Sequence, residues 1–436
     1  MITIQVSSLF PSSSSCDLPS KASKAKSSLR VVHRQGPCSR LSSGKTMSID
    51  HDEILRLDQA RVNSIHSKLS KKVKDQVMQS KSAVLPAIDR STHGSGNYVV
   101  TVGIGTPMHN QSLIFDTGSD LTWTQCKPCL TCFPQVEPIF NPFSSSSYAN
   151  ISCSSPVCAS AGLLGNCSES STCLYYIEYG DGSSSNGFFA TEKFTLTTSD
   201  VFHGVKFGCG DDNEGQFLGA AGLLGLSRGN LSFPWQTKNT YNNFFSYCLP
   251  SSPGYIGDLT FGSAGISNDV KYTPIFPYPD PSLYGLDIEG ITVGGQKLDI
   301  PLNVFSTPGA IIDSGTVISR LPSKAYEALR TAFKAKMRNY TAAPGNKFLD
   351  TCYDFTNSKT VHIPTISFSF SGGTVVTLDP KGVLYPSNTP KVFCLAFAEN
   401  EYDIFFAIFG NVQQKTLQVV YDVAGGRIGF APNGCN

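Results

Sequence analysis

One hexapeptide pattern occurs twice in this chain, and its repetition constrains the fold more than any other feature. Ile114-Phe115-Asp116-Thr117-Gly118-Ser119 returns 197 residues later as Ile311-Ile312-Asp313-Ser314-Gly315-Thr316. Each copy is followed by an apolar-apolar-Gly run, Leu223-Leu224-Gly225 after the first and Ile408-Phe409-Gly410 after the second. The duplication implies two homologous lobes, joined in the Gly-, Ser- and Pro-rich stretch at 263–282. In each copy an apolar strand fixes a carboxylate in the interior, and the glycine lets the backbone turn its N–H towards that carboxylate. Ser119 and Thr316 are spaced to hydrogen-bond the outer carboxyl oxygens, and Thr117 and Ser314 to tie the two loops together.

A lone Asp before a Gly turn is usually a turn residue. Two in duplicated contexts make a site. Carboxylates brought together by pseudo-symmetry cannot both ionise, so they share one proton. The ionised oxygen then takes a proton from a bound water while the protonated partner donates to a carbonyl oxygen. This is general acid–base activation of water, and it calls for no metal and no cofactor.

The expected fold class is all-β. Charged residues make up 15% of the 436, against about 25% in an average domain, and 39 Gly and 26 Pro supply turns. Alternating and β-branched runs predict strands at Tyr98 to Ile104, Gln111 to Phe115, Phe188 to Leu196, Val205 to Gly208, Leu286 to Val293, Val361 to Phe370 and Thr416 to Val420. The one clear helix of the body starts after Pro322, with Ser323 as its N-cap and Tyr326, Leu329 and Phe333 on one face.

The expected organisation is a leader at 1–93, a first lobe at 94–265 and a second lobe at 266–436. The leader carries 15 Lys/Arg against 7 Asp/Glu, and the body 19 against 26. A +8 segment ahead of a −7 body suggests a segment that sits on that body, and an acidic body disfavours nucleic acid as its partner. Within the leader, Ile54, Leu57, Val62, Ile65, Leu69 and Val73 recur at helical spacing behind an Asp50/Glu53 capping box. Residues 11–49 are Ser-rich and basic with Asp17 the only acid, closer to a transit peptide than to a signal peptide, so a chloroplast address stands beside secretion. No stretch approaches the roughly 20 apolar residues of a membrane span.

Two of the 14 cysteines, Cys16 and Cys38, lie in the leader. The even number in the body reads as disulfides formed in an oxidising compartment. A zinc site at Cys126, Cys129 and Cys132 is disfavoured, because no second CxxC and no His lies near. Sequons at Asn110, Asn150, Asn166, Asn230 and Asn339 fit a secreted glycoprotein.

With Trp123 seven residues after Asp116, and Tyr179-Gly180-Asp181-Gly182-Ser183 reading as a hairpin tip, the chain resembles the pepsin-like aspartic endopeptidases from about Gly96 to Cys435. The cysteine-rich insertion at 126–173 narrows the resemblance to the nepenthesin-type plant branch. The resemblance implies a bilobal fold with a cleft between lobes, and Asp116 and Asp313 as a catalytic dyad. It further implies Tyr179 on a closing flap held by Trp123, and Ile114 and Ile311 lining the central pockets. It implies polypeptide substrates and a monomer made as a zymogen inhibited by its own propeptide, and the charge of the +8 leader against the −7 body places a leader lysine beside the Asp116/Asp313 pair in place of substrate. By the same resemblance the expected bridges are Cys126–Cys129, Cys132–Cys209, Cys153–Cys173, Cys158–Cys167, Cys248–Cys435 and Cys352–Cys394. Two rival readings are a catalytically silent, inhibitor-binding relative and a nucleic-acid-binding protein acting through the basic leader.

Overall fold

The computed structural model describes residues 1–9, 16, 27–42, 49–77, 98–160, 167–179, 182–215, 217, 219–277, 280–306 and 309–435. Gly180, Asp181, the Asn166 sequon and the end of the expected leader at 78–93 lie outside them.

The two carboxylate-bearing strands are built alike. His109–Asp116 pairs antiparallel with Tyr98–Ile104 and parallel with Gly222–Gly225, where Leu223 stands opposite Ile114 and Gly225 opposite Asp116. In the second lobe Ala310–Ile312 runs parallel to Ala407–Phe409, with Ile311 opposite Ile408. The apolar-apolar-Gly runs are therefore the parallel partners of the Asp strands, and their continuous burial is what parallel pairing requires.

The leader is woven into this body. Its Ser28–His33 strand lies between Gly257–Phe261 and Tyr98–Ile104, inside a 14-stranded sheet that continues to Gln418–Asp422 and Arg427–Ala431 of the second lobe. Ile2–Gln5 adds antiparallel to Thr360–Ile363. The predicted leader helix spans His51–Val77. Asp50 caps it by accepting from the N–H groups of Asp52 and Glu53, both at 3.1 Å. The Glu53 side chain accepts from Arg56 Nε and Nη2 of the next turn.

Three expectations need correction. Val361 to Phe370 is two strands, Thr360–Ile363 and Ile366–Phe370, because Pro364 cannot donate to a ladder. Leu286 to Val293 likewise divides at Asp287, Leu286 pairing with Ala310 and Ile288–Val293 with Ile366–Phe370. The body helix is Ser323–Met337, but Ser323 caps nothing; its N–H is satisfied by Asp403 Oδ1 at 2.8 Å. Tyr326, Leu329 and Phe333 are buried as expected.

Every cysteine among the described residues is bridged, so Cys126, Cys129 and Cys132 hold no zinc. Cys248–Cys435 and Cys352–Cys394 pair as expected, and Cys16 joins Cys38. The insertion pairs differently: Cys126–Cys209, Cys129–Cys132, Cys153–Cys167 and Cys158–Cys173. Strand register is the reason. Trp123–Gln125 runs parallel to Val201–Glu214 with Thr124 opposite Cys209, which brings Cys126 beside Cys209 and leaves Cys129 to close on Cys132. Further on, Ser152 faces Thr172, so the Cys173 N–H bonds Ile151 and the Cys153 N–H bonds Ser171, which keeps those two sulfurs apart. Asn110, Asn150, Asn230 and Asn339 are all exposed.

Candidate active site

Asp116 and Asp313 are fully buried at the ends of their strands. Asp116 accepts from Gly118 N–H at 2.9 Å and from Ser119 Oγ–H at 2.5 Å. Asp313 accepts from Gly315 N–H at 3.1 Å and from Thr316 Oγ1–H at 2.6 Å. The loops are cross-tied: Thr117 N–H donates to Ser314 Oγ at 3.1 Å, and Ser314 N–H to Thr117 Oγ1 at 2.9 Å. A Cβ on Gly118 would stand 2.9 Å from Asp313 Oδ1, and one on Gly315 2.6 Å from Asp116 Oδ1. Only glycine lets the two carboxylates approach each other across the pseudo-dyad.

Leu174–Glu178 and Ser184–Thr195 form a hairpin whose tip opens at Tyr179. Trp123 Nε1–H donates to Tyr179 Oη at 2.7 Å, and Phe217 packs edge-on against both rings. Ile114 lies in the first-lobe apolar cluster with Val99, Trp123 and Leu223. Ile311 sits in a smaller one with Ile408, Phe406 and the leader's Val62.

The basic group at the dyad is an arginine, not a lysine. Arg61 Nη2 is 2.8 Å from Asp116 Oδ1 and 2.9 Å from Asp313 Oδ2, and its Nε is 3.1 Å from Asp313 Oδ2. A planar fork spans two carboxylates as a point ammonium cannot. Burial pushes both carboxyls up. For Asp116 the charge of Arg61 and the bonds from Ser119 and Gly118 win, holding it below the ordinary range. Asp313 stays above that range, because burial is reinforced by the charge of Asp116. Burial lowers the basicity of Arg61, but the charges and hydrogen bonds of Asp116 and Asp313 outweigh it and hold the guanidinium firmly charged.

One turn earlier on the same helix, Asp58 is fully buried. It accepts from Val317 N–H at 2.6 Å, Ile318 N–H at 3.3 Å and Arg320 Nη2–H at 2.8 Å. His66, one turn beyond Arg61, is buried between Phe405 and Phe406 and bonds the Phe406 carbonyl at 3.1 Å. Neither Asp58 nor Arg61 nor Arg320 follows from the Asp motifs. A signal was there: Ile54, Asp58, Arg61 and Ile65 recur at i, i+4, i+7 and i+11, so two charges interrupt the apolar face.

Two Asp-hydroxyl-Gly loops, cross-tied and facing each other from homologous lobes, define a bilobal pepsin-like aspartic protease. Residues 98–263 match the family described as Xylanase inhibitor N-terminal, and residues 283–432 that described as Xylanase inhibitor C-terminal. An aspartyl protease family protein of Arabidopsis thaliana is 65% identical over all of this chain and 93% of its own length. Aspartyl protease AED1 of the same plant is 62% identical over 99% of this chain and 92% of its own. Aspartic proteinase nepenthesin-2 of Nepenthes gracilis is 40% identical over 78% of each chain. The chain belongs to the plant aspartyl protease family, and it is an aspartic-type endopeptidase. The crystal structure of the basic 7S globulin from soybean matches with a TM-score of 0.63, covering 78% of this chain and 92% of that one; at 19% identity it shares the fold.

Proposed function

We propose that the protein is made as an inactive zymogen whose leader, residues 1–93, withdraws from the cleft between lobes 94–265 and 266–436. Asp116 and Asp313 then hydrolyse peptide bonds. The observation that carries this reading is Arg61, whose guanidinium is hydrogen-bonded to both carboxylates at once. It fills the place a water needs, and it stabilises charge on carboxylates that must share a proton to work.

Once Arg61 leaves, one proton is shared across the pair. The ionised carboxylate removes a proton from water, and the oxygen of that water forms a bond to the peptide carbonyl carbon. The protonated carboxyl donates to the carbonyl oxygen, giving a neutral tetrahedral diol. Collapse breaks the C–N bond: the proton first taken from water passes to the leaving nitrogen, and one hydroxyl of the diol returns its proton to the other carboxylate as the new carbonyl forms, which restores the shared-proton pair. Gly118, Ser119, Gly315 and Thr316 keep each carboxylate oriented, while Thr117 and Ser314 hold the loops together. Tyr179 at the hairpin tip closes over an extended polypeptide, Trp123 fixing its hydroxyl.

The disulfides and exposed sequons support a secreted, glycosylated protein. A statine-containing peptide, whose hydroxyl occupies the position of the attacking water, tests the chemistry. It should block cleavage by the acid-treated protein; unimpaired cleavage at saturating inhibitor would remove the assignment of the dyad.

A further inference from the structure

Arg320 stands seven residues after Asp313, as Trp123 stands seven after Asp116. In the first lobe that position anchors the flap tyrosine over the cleft. In the second lobe it carries a guanidinium with 0% exposure, and the group it grips comes from the leader. Asp58 is held by Arg320 Nη2–H and by two consecutive backbone N–H groups, Val317 and Ile318, on the segment that runs on from the second Asp loop. Among the described residues, Arg320 Nε and Nη1 are buried with no hydrogen-bond partner, so the pocket holds more donors than one carboxylate uses.

We propose that Arg320 and the Val317 and Ile318 N–H groups form a carboxylate-binding subsite of the cleft, and that the protease prefers substrates with an acidic residue there. The inference rests on the reading that the leader helix leaves the cleft and that the Asp116/Asp313 pair cuts peptides. Asp58 then acts as an internal stand-in for a substrate acid. Its departure strands a buried cation and two N–H groups, which only an anionic or strongly accepting group satisfies. A neutral glutamine offers one carbonyl oxygen to the same donors and binds more weakly.

The spacing locates the subsite. Asp58 precedes the dyad-bound Arg61 by three helical residues, about 4.5 Å along the axis. An extended substrate advances about 3.3 Å per residue. The acidic residue therefore belongs one or two positions from the scissile bond.

The test uses the full-length protein after acid activation. Paired peptides carry Glu or Gln at each of the two positions on either side of the scissile bond and are assayed near pH 5.5, where Glu is ionised. The expected result is a kcat/KM preference of about 10- to 100-fold for Glu at one of these positions. The ratio should fall towards one in Arg320→Gln, and in Arg320→Glu the preference should pass to a Lys-containing peptide. Equal cleavage of all Glu and Gln peptides by the wild-type protein overturns the subsite while leaving the protease reading intact. So does a Glu preference that survives in Arg320→Gln. No cleavage of any peptide overturns both. The wild-type comparison stands even if an Arg320 variant fails to fold.

Discussion

Arg61 Nη2 lies 2.8 Å from Asp116 Oδ1, across 55 residues of sequence. That bond joins the leader to the residue on which hydrolysis depends, so its two ends carry separate predictions.

At the carboxylate end, Asp116→Asn or Asp313→Asn should abolish peptide cleavage in the acid-treated protein. A general acid–base contribution alone is worth about 10²–10⁴-fold. The double variant should lose no more than either single one, because the shared proton makes the pair one unit. Circular dichroism should still report a folded β protein, and near-wild-type rates in a folded single variant would contradict the dyad.

At the arginine end, Arg61→Gln leaves two buried carboxylates facing a neutral side chain. Removing one partner of a buried ion pair typically costs about 3–5 kcal/mol, here a cost to leader docking. The acid-activation midpoint should move towards neutral pH, with Arg61→Lys in between because an ammonium cannot fork across both carboxylates. Intact-mass measurement across a pH series reads the midpoint; an unmoved midpoint in Arg61→Gln would mean the guanidinium does not hold the leader.

Three leader histidines set the direction of pH dependence. Burial pushes His33 down to about 3, with Arg34, Lys415 and His51 adding to it. Burial and Lys415 bring His51 to about 4 against the pull of Asp50 and Asp52. Burial brings His66 to about 4, with Arg320 assisting and the Phe406 carbonyl opposing. A released leader returns each to the ordinary value of about 6.5. The undocked state thus binds more protons between about pH 4 and 6.5, so docking is strongest above that window and weakens as pH falls through it. Asp58, raised by burial, works in the opposite sense, one group against three. Replacing His51 and His66 together by Gln should lower the activation midpoint by about half a pH unit or more. The same acid-titration mass series checks it, and a midpoint that stays put or rises would contradict the histidine account.

The disulfides differ in the chain they enclose. Cys126–Cys209 spans 83 residues and Cys129–Cys132 only 3. Restriction of the unfolded chain grows with loop length, so the Cys126→Ser/Cys209→Ser pair should lose about 2–5 kcal/mol and the Cys129→Ser/Cys132→Ser pair distinctly less. Denaturant unfolding measures both, and non-reducing peptide mapping should recover a peptide joining Cys126 to Cys209. Recovery of Cys126–Cys129 instead would restore the pairing drawn from resemblance.

The parts of this molecule legible in sequence are those that repeat or alternate. The duplicated Asp motifs, their Leu223-Leu224-Gly225 and Ile408-Phe409-Gly410 partners and the cross-tie of Thr117 to Ser314 all depend on local pattern twice over. The flap contact between Trp123 and Tyr179 was legible through resemblance. What escaped depends on register between distant segments. Cysteines at short spacing look interchangeable until Thr124 is seen opposite Cys209. Arg61 and Asp58 show in the sequence only as two charges interrupting the helix's apolar face, a pattern that does not say that a cleft receives them. Pro364 is the opposite case, a visible break that divides the apolar run around it into Thr360–Ile363 and Ile366–Phe370.

The most direct test follows one sample by two readouts. Full-length protein at pH 7 is mixed with a reporter peptide, its intact mass and rate of cleavage are recorded, and both are recorded again after acidification to pH 4. The account predicts no cleavage while the mass still includes Arg61, and cleavage that rises in step with loss of the leader. Protein of full mass that cuts the peptide at pH 7 as fast as the shortened form does at pH 4 would contradict it.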